Sequence, residues 1–186
     1  NTSSPSFSGC SRFFRITDKE VLGRVFNKKK KVGTTFNEYS KYNQEIQKNS
    51  HKSVSNFLKK DFGLIHYLRS LLWKKKRWLT NELKQWLAEF KPDIIFYHNS
   101  NSVFLTNIAL QLKEELNIPL VTEISDDYYF INKNSISLYR KLYNNKMKQL
   151  MKSSDGAIFI SEKMKLAYSL FDVKNSDYVH VCTKDD

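Results

Sequence analysis

The second half of this 186-residue chain repeats one pattern: a short apolar run, a polar loop, then a stretch with apolar residues at helical spacing. Asp93-Ile94-Ile95-Phe96-Tyr97 reads as a buried strand, His98 to Ser102 as its loop, and Leu105, Ile108, Leu112 and Leu116 as one face of a helix. Pro119 to Ile124 is the next strand, followed by the loop Ser125 to Phe130 and a helix carrying Ile136, Tyr139, Tyr143, Met147 and Leu150. Gly156 to Ile160 is the third strand, Ser161 caps a short helix reaching Phe171, and Tyr178 to Cys182 is a fourth strand. Short apolar strands alternating with amphipathic helices make parallel βαβ units. Right-handed crossovers turn such units into an α/β fold, a doubly wound, mostly parallel sheet with helices on both faces. Ligands of such sheets bind beyond the carboxyl ends of the strands. The loops at His98 to Ser102 and Ser125 to Phe130, with Ser161, therefore mark the expected site.

The first half is less regular. Val54 opens a helical pattern through Phe57, Leu58, Leu64, Ile65, Leu68, Leu71 and Leu72, broken by the basic block Lys74 to Arg77. A further helix starts after Thr80, a good N-cap, with Leu79, Leu83, Trp86, Leu87 and Phe90 as its stripe and Pro92 as its stop. Residues 24–55 form a basic, weakly patterned excursion with a short strand near Lys31 to Phe36, and Asn1 to Gly9 is a loop. The whole of 1–186 is expected to be one domain.

Hydrophobic residues at 40% and aromatics at 14% exclude a disordered chain, and 5 Gly with 3 Pro disfavour an all-β fold built on tight turns. The 31 basic against 19 acidic residues leave a net charge of +12, which speaks about partners rather than fold. Lys28 to Lys31 and Lys74 to Arg77 read first as a solvated face, with an anionic membrane surface as the partner they would suit. No nucleic-acid motif accompanies them, so nucleic acid is not an expected partner. Cys10 and Cys182 have no metal-site or disulfide-framework spacing, no apolar run spans a bilayer, and no metal ligand set is expected. A cytoplasmic protein, peripheral at the inner face of the membrane, fits these features.

Three segments carry a family likeness. Lys91-Pro92-Asp93-Ile94-Ile95-Phe96, the run Ile118 to Asp127, and Ser153-Ser154-Asp155-Gly156-Ala157-Ile158-Phe159-Ile160-Ser161 resemble successive strands of family-4 glycosyltransferases. Asp126-Asp127-Tyr128-Tyr129 is similar to a run in enzymes of bacterial surface and capsular polysaccharide synthesis, and Ser8 to Arg12 resembles the family's Gly-rich first loop. The likeness implies a Rossmann-like fold, the N-terminal, acceptor-side half of a GT-B enzyme, with the donor-binding half absent from this chain. It further implies transfer of a sugar from a nucleotide sugar to a lipid-linked or polysaccharide acceptor, with no cofactor and no metal, and inactivity of this half alone. Glu115 and Glu123 have the spacing of the family's donor-site Glu pair, but they run through Pro119 into a strand and match by coincidence. A non-catalytic Rossmann-like module that binds an anionic ligand or partner is the alternative.

Glycosyl transfer needs an acidic or basic group to orient or deprotonate the attacking hydroxyl, or to steady oxocarbenium charge. Asp126 and Asp127, at the end of a strand, are the candidate catalytic pair. Gly9, Arg12, His98, Asn99, Glu123, Tyr128 and Ser161 are the candidate acceptor-binding residues. Each also has a plain structural role open to it: capping for Asp126, Asp127, Asn99 and Ser161, and packing for Tyr128.

Overall fold

The computed structural model describes residues 12–36, 62–131 and 137–179. The chain forms two compact units, one of residues 1–62 with 75–89 and one of residues 63–74 with 90–186.

In the first unit, β1 (Phe13–Arg15) pairs antiparallel with β2 (Thr34–Phe36), Phe13 opposite Phe36 with their rings stacked at 5.0 Å. Between them runs α1 (Asp18–Phe26), opened by a capping box in which Thr17 and Glu20 satisfy each other's backbone N–H groups. The pattern Thr17-x-x-Glu20 is a readable start signal that the loop-and-excursion reading passed over. Gly33 has a φ of 92°, and a Cβ there would stand 2.0 Å from the Phe14 ring, so this turn into β2 admits no side chain. A short 3₁₀ turn (Lys76–Trp78) buries Trp78 and leads to α3 (Asn81–Phe90), which Thr80 caps as expected by accepting from Leu83 N. Leu83 and Leu87 of α3 are buried, whereas Phe90 is exposed.

The second unit carries the parallel sheet. Its strands β3 (Ile95–His98), β4 (Leu120–Ile124), β5 (Gly156–Phe159) and β6 (Ser176–Tyr178) lie in sequence order. Between them run α4 (Val103–Leu116), a single turn α5 (Tyr128–Ile131), α6 (Leu138–Ser153), and α7 (Glu162–Tyr168) with a 3₁₀ turn at Ser169–Phe171. The helix α2 (Phe62–Lys74) belongs to this unit from Gly63 onward. The α/β class and the Rossmann-like parallel sheet are as the sequence indicates. Tyr97, Leu120, Ile124, Ala157 and Phe159 face a core with Val103 and Ala109 of α4 and Tyr143, Met147, Leu150 and Met151 of α6. Burying a side chain such as Leu150 contributes about 1.5–3 kcal/mol. The alternate strand positions are more open, and Phe96 is 58% exposed.

Three expectations are corrected. The fourth strand starts two residues before Tyr178, and residues 180–186 lie outside the described ones, as do the helical start at Val54, Ile136 and the loop through Gly9. In α4 the inward face is Val103, Phe104, Thr106, Asn107 and Ala109, with Leu105 exposed; a buried hydrogen bond between Thr106 and the Tyr97 hydroxyl, 3.0 Å, holds that helical phase. In α2 the inward residues are Ser70 and Trp73, the latter against Phe104, while Leu64, Leu68 and Leu71 are exposed.

At the amino end of the sheet, Asp155 ties β4 to the turn before β5. It accepts from Leu120 N at 2.8 Å and from Lys113, and its own N–H donates to Leu120 O. The hydrogen bond from Lys113, reinforced by that from Leu120 N, lowers the Asp155 pKa below its ordinary value. The resulting stabilisation is present above the unfolded-state value of about 3.9 and is lost as pH falls below it toward the folded value. In Lys113→Met this part of the acid sensitivity should shrink, which urea titrations at several acidic pH values would read; an unchanged profile would refute the tie.

Candidate acceptor site

Parallel pairing places His98 beside Glu123, the last pair in the β3–β4 register. Registered neighbours in a parallel ladder project from the same face, so the two side chains meet at the carboxyl end of the sheet. His98 Nδ1 lies 3.0 Å from Glu123 Oε2. Ser125 adds longer contacts, 3.3 Å to the same ring nitrogen and 3.4 Å to Glu123 Oε1. In the tautomer that donates from Nδ1 to the carboxylate, Nε2 lies on the other side of the ring, away from Glu123. The His98 side chain is 59% exposed and that of Glu123 29%, so both are reachable. The strand position of Glu123 is thereby explained: its carboxylate has a partner and stands at the sheet's end, not in the core.

The four residues that follow form a tight turn. Asp126 is exposed and its Oδ2 accepts from the Tyr128 hydroxyl at 2.9 Å, a bond that raises the pKa of that phenol. Asp127 is engaged twice: its Oδ1 accepts from Phe130 N at 3.1 Å, capping α5, and from the Tyr168 hydroxyl at 3.0 Å. Tyr168 is 1% exposed and lies among the rings of Tyr129, Phe130, Phe159 and Phe171. Asp127 therefore fastens the loop after β4 to α7. Ser161 caps α7, its hydroxyl accepting from Met164 N. Asn99 is 2% exposed and donates from its amide to the Tyr143 hydroxyl at 3.3 Å. Arg12 stands at the start of β1 in the first unit, and Gly9 is outside the described residues.

Of the residues singled out from the sequence, the structure pairs two, His98 and Glu123. It also brings in Ser125, which the sequence reading placed only at the start of the loop after the second strand. Tyr168 and Arg140, the latter 4% exposed and hydrogen-bonded to Asn101, were not anticipated; Tyr168 is 41 positions from Asp127 and Arg140 is 39 from Asn101, and neither has a local signal. Among the described residues, no group of three or more His, Cys, Asp or Glu side chains is placed to hold a metal ion, and no helix is long and apolar enough to cross a membrane.

Loss of a helix cap costs about 0.5–2 kcal/mol, and Asp127→Ala also leaves the buried Tyr168 hydroxyl without its acceptor. Asp127→Ala should therefore destabilise the fold by about 2 kcal/mol or more, and Asp126→Ala by much less, because its one described bond is at the surface. Denaturant midpoints of the two variants decide this; equal losses would remove the structural distinction between the neighbours.

The sequence model of the family described as Glycosyltransferase Family 4 matches residues 44–182, which include β3 to β6 and every described residue of the site except Arg12. No curated protein and no solved structure matches the chain. The family match covers well over half of the sequence and agrees with the parallel α/β sheet: the chain belongs to glycosyltransferase family 4.

Proposed function

We propose that this domain is the acceptor-side half of a GT-B enzyme and holds the sugar acceptor while a nucleotide sugar, bound mainly by a second domain, donates its glycosyl group. The observation that carries the reading is the 3.0 Å bond between His98 and Glu123 at the carboxyl edge of the sheet. Glu123 orients the imidazole so that Nε2 faces the acceptor hydroxyl. As that oxygen bonds to the anomeric carbon and the nucleoside diphosphate leaves, the hydroxyl proton passes to Nε2. Asp126 lies close in the chain and is the group proposed to steady the attacking hydroxyl or the oxocarbenium charge of the sugar. Asp127, first singled out as its catalytic partner, is proposed to act by holding the loop. Tyr128 offers a ring for sugar stacking, with Ser161 at the rim. Gly9 and Arg12 are retained as proposed acceptor contacts on the strength of the first-loop likeness alone.

The acceptor is proposed to be lipid-linked or a polysaccharide of the bacterial surface or capsule, with work done at the cytoplasmic face of the membrane. The basic blocks Lys28 to Lys31 and Lys74 to Arg77 support this part through their attraction to anionic lipid. No metal or cofactor is included in the proposed reaction, and this half alone is proposed to be inactive.

Transfer from a panel of radiolabelled sugar nucleotides into membrane extracts, using the full-length protein, tests the reading. His98→Gln should lower the rate by about 100-fold or more, the size expected of general acid or base catalysis. Glu123→Gln should lower it less, and Asp126→Asn should also reduce it. Transfer that is indifferent to His98→Gln would remove the dyad from the chemistry. Absence of transfer from every donor, with folded protein and acceptors present, would favour a non-catalytic module that binds an anionic ligand.

A further inference from the structure

The helix side of the sheet carries a cavity at its amino end, away from His98. It has a volume of about 650 Å³ and opens where the carboxyl-terminal halves of α4 and α6 pack together, beside Asp172 and Lys174. Four lysines line it: Lys113 from α4, Lys146 and Lys152 from α6, and Lys174 after the 3₁₀ turn. Part of this charge serves the fold. Lys113 donates to Asp155 and to Ser153 O, which neutralises one acid of the wall and meets the carboxyl end of α6. Lys152, in the last turn of α6, also suits the helix dipole. The acids that remain, Glu114 and Asp172, are exposed, and Glu114 has an interaction of its own.

Lys146 is not accounted for in this way. It stands about two turns before the end of α6, half-buried, and donates to Gln149 Oε1 at 2.7 Å. Burial lowers its pKa, and the charge of Lys74 at the end of α2 lowers it further. The charge that bears on this half-buried cation is therefore a second cation, and neither Glu114 nor Asp172 relieves it. Among the described residues, Lys146, Lys152 and Lys174 have no ion-pair partner, Lys174 meeting Asp155 only at longer range. A buried amide adds an independent sign. Asn107 of α4 is 6% exposed and lines the cavity, and its side chain has no hydrogen-bond partner among the described residues. An amide set so deep calls for one. Gln149, which also lines the cavity, uses its amide oxygen on Lys146 and keeps its nitrogen for another acceptor.

We infer that this cavity binds a small hydroxyl-rich phosphate monoester, a phosphorylated sugar or polyol, with Lys146 as the inner cation and Lys152 and Lys174 as outer ones. The three terminal oxygens of a phosphate monoester serve more of these N–H donors than the two of a carboxylate. Three lysines against two remaining acids suit one phosphoryl group and disfavour a polyanion. The amides of Asn107 and Gln149 suit hydroxyl groups. No aromatic ring lines the cavity, so a nucleotide base has nothing to stack on, and Leu110 and Met151 are too few for an acyl chain. The cavity lies at the opposite end of the sheet from His98 and Glu123, so its ligand is distinct from the donor and the acceptor of the transfer reading. The inference holds whether or not that reading does.

The test is calorimetric titration of the folded chain, without any sugar donor, with mannitol phosphate, mannitol, inorganic phosphate, succinate and adenosine monophosphate. Parent protein should bind mannitol phosphate more tightly than each of the other four. Lys146→Gln should weaken that binding by about tenfold or more, as expected for loss of a charge-assisted hydrogen bond. The substitution also removes the repulsion from Lys74, so the variant should melt like the parent. Lys174→Gln changes an exposed residue on a different element and serves as the second variant, also with weaker binding. His98→Gln, at the far end of the sheet, should bind as the parent does. Failure of mannitol phosphate to bind, or equal binding by the parent, Lys146→Gln and Lys174→Gln, overturns the site. Binding that is lost in His98→Gln belongs to the strand ends and overturns it as well. Equal or tighter binding of succinate, of adenosine monophosphate or of mannitol itself overturns the ligand class.

Discussion

The pairing of β3 with β4, from Ile95 opposite Leu120 to His98 opposite Glu123, is the constraint on which the rest of the second unit depends. In a parallel ladder the two strands end together, so the last residues of both are delivered to one edge. A shift by one residue would turn every side chain to the other face. A slipped β3 would take Tyr97 out of the core and put His98 in, and a slipped β4 would do the same with Ile124 and Glu123, in either case parting His98 from Glu123. The apolar positions that α4 and α6 cover therefore enforce the alignment of the polar pair, and the site inherits its geometry from packing.

At the other end of the sheet, Asp155 pins β4 to β5. Its bonds to Leu120 and Lys113 lock the start of β4 to the turn that launches β5. In the family likeness this aspartate belongs to a recurring strand motif, and its role in this chain is structural. Thr122 and Ser154 add a buried bond of 2.8 Å on the helix side of the sheet. One end of the ladder is thus closed by internal hydrogen bonds, and the opposite end, where open α/β sheets bind their ligands, carries the exposed pair His98 and Glu123.

Much of this was legible in the sequence. Alternating apolar runs and helical stripes located β3, β4 and β5 to within two residues, and strand ends then named His98, Glu123, Asp126, Asp127 and Ser161. What failed were helix phases and long-range partners. Helix α4 is apolar nearly all round, so spacing alone could not say that Thr106 and Asn107 point inward and Leu105 outward; the buried bond from Thr106 to Tyr97 decides it. In α2 the leucines form the better stripe, yet Trp73 is the residue that is buried, because a large ring against Phe104 removes more apolar surface than any of them. The first strand and α1 were missed because they are short and weakly apolar, with only the Thr17–Glu20 box to mark them. The distinction between Asp126 and Asp127 was out of reach, since it depends on Tyr168, 41 residues away from Asp127.

That bond has a consequence for how the loop after β4 behaves. Burial, and next the charge of Asp127, hold the Tyr168 phenol far above its ordinary pKa, so it stays a donor throughout the range of cellular acidity. The Tyr168 end of the latch between α7 and the loop after β4 consequently has no proton switch. The loop after β4 is thus anchored by a buried donor from α7, and the integrity of α7 becomes a condition for the placement of Asp126 and Tyr128.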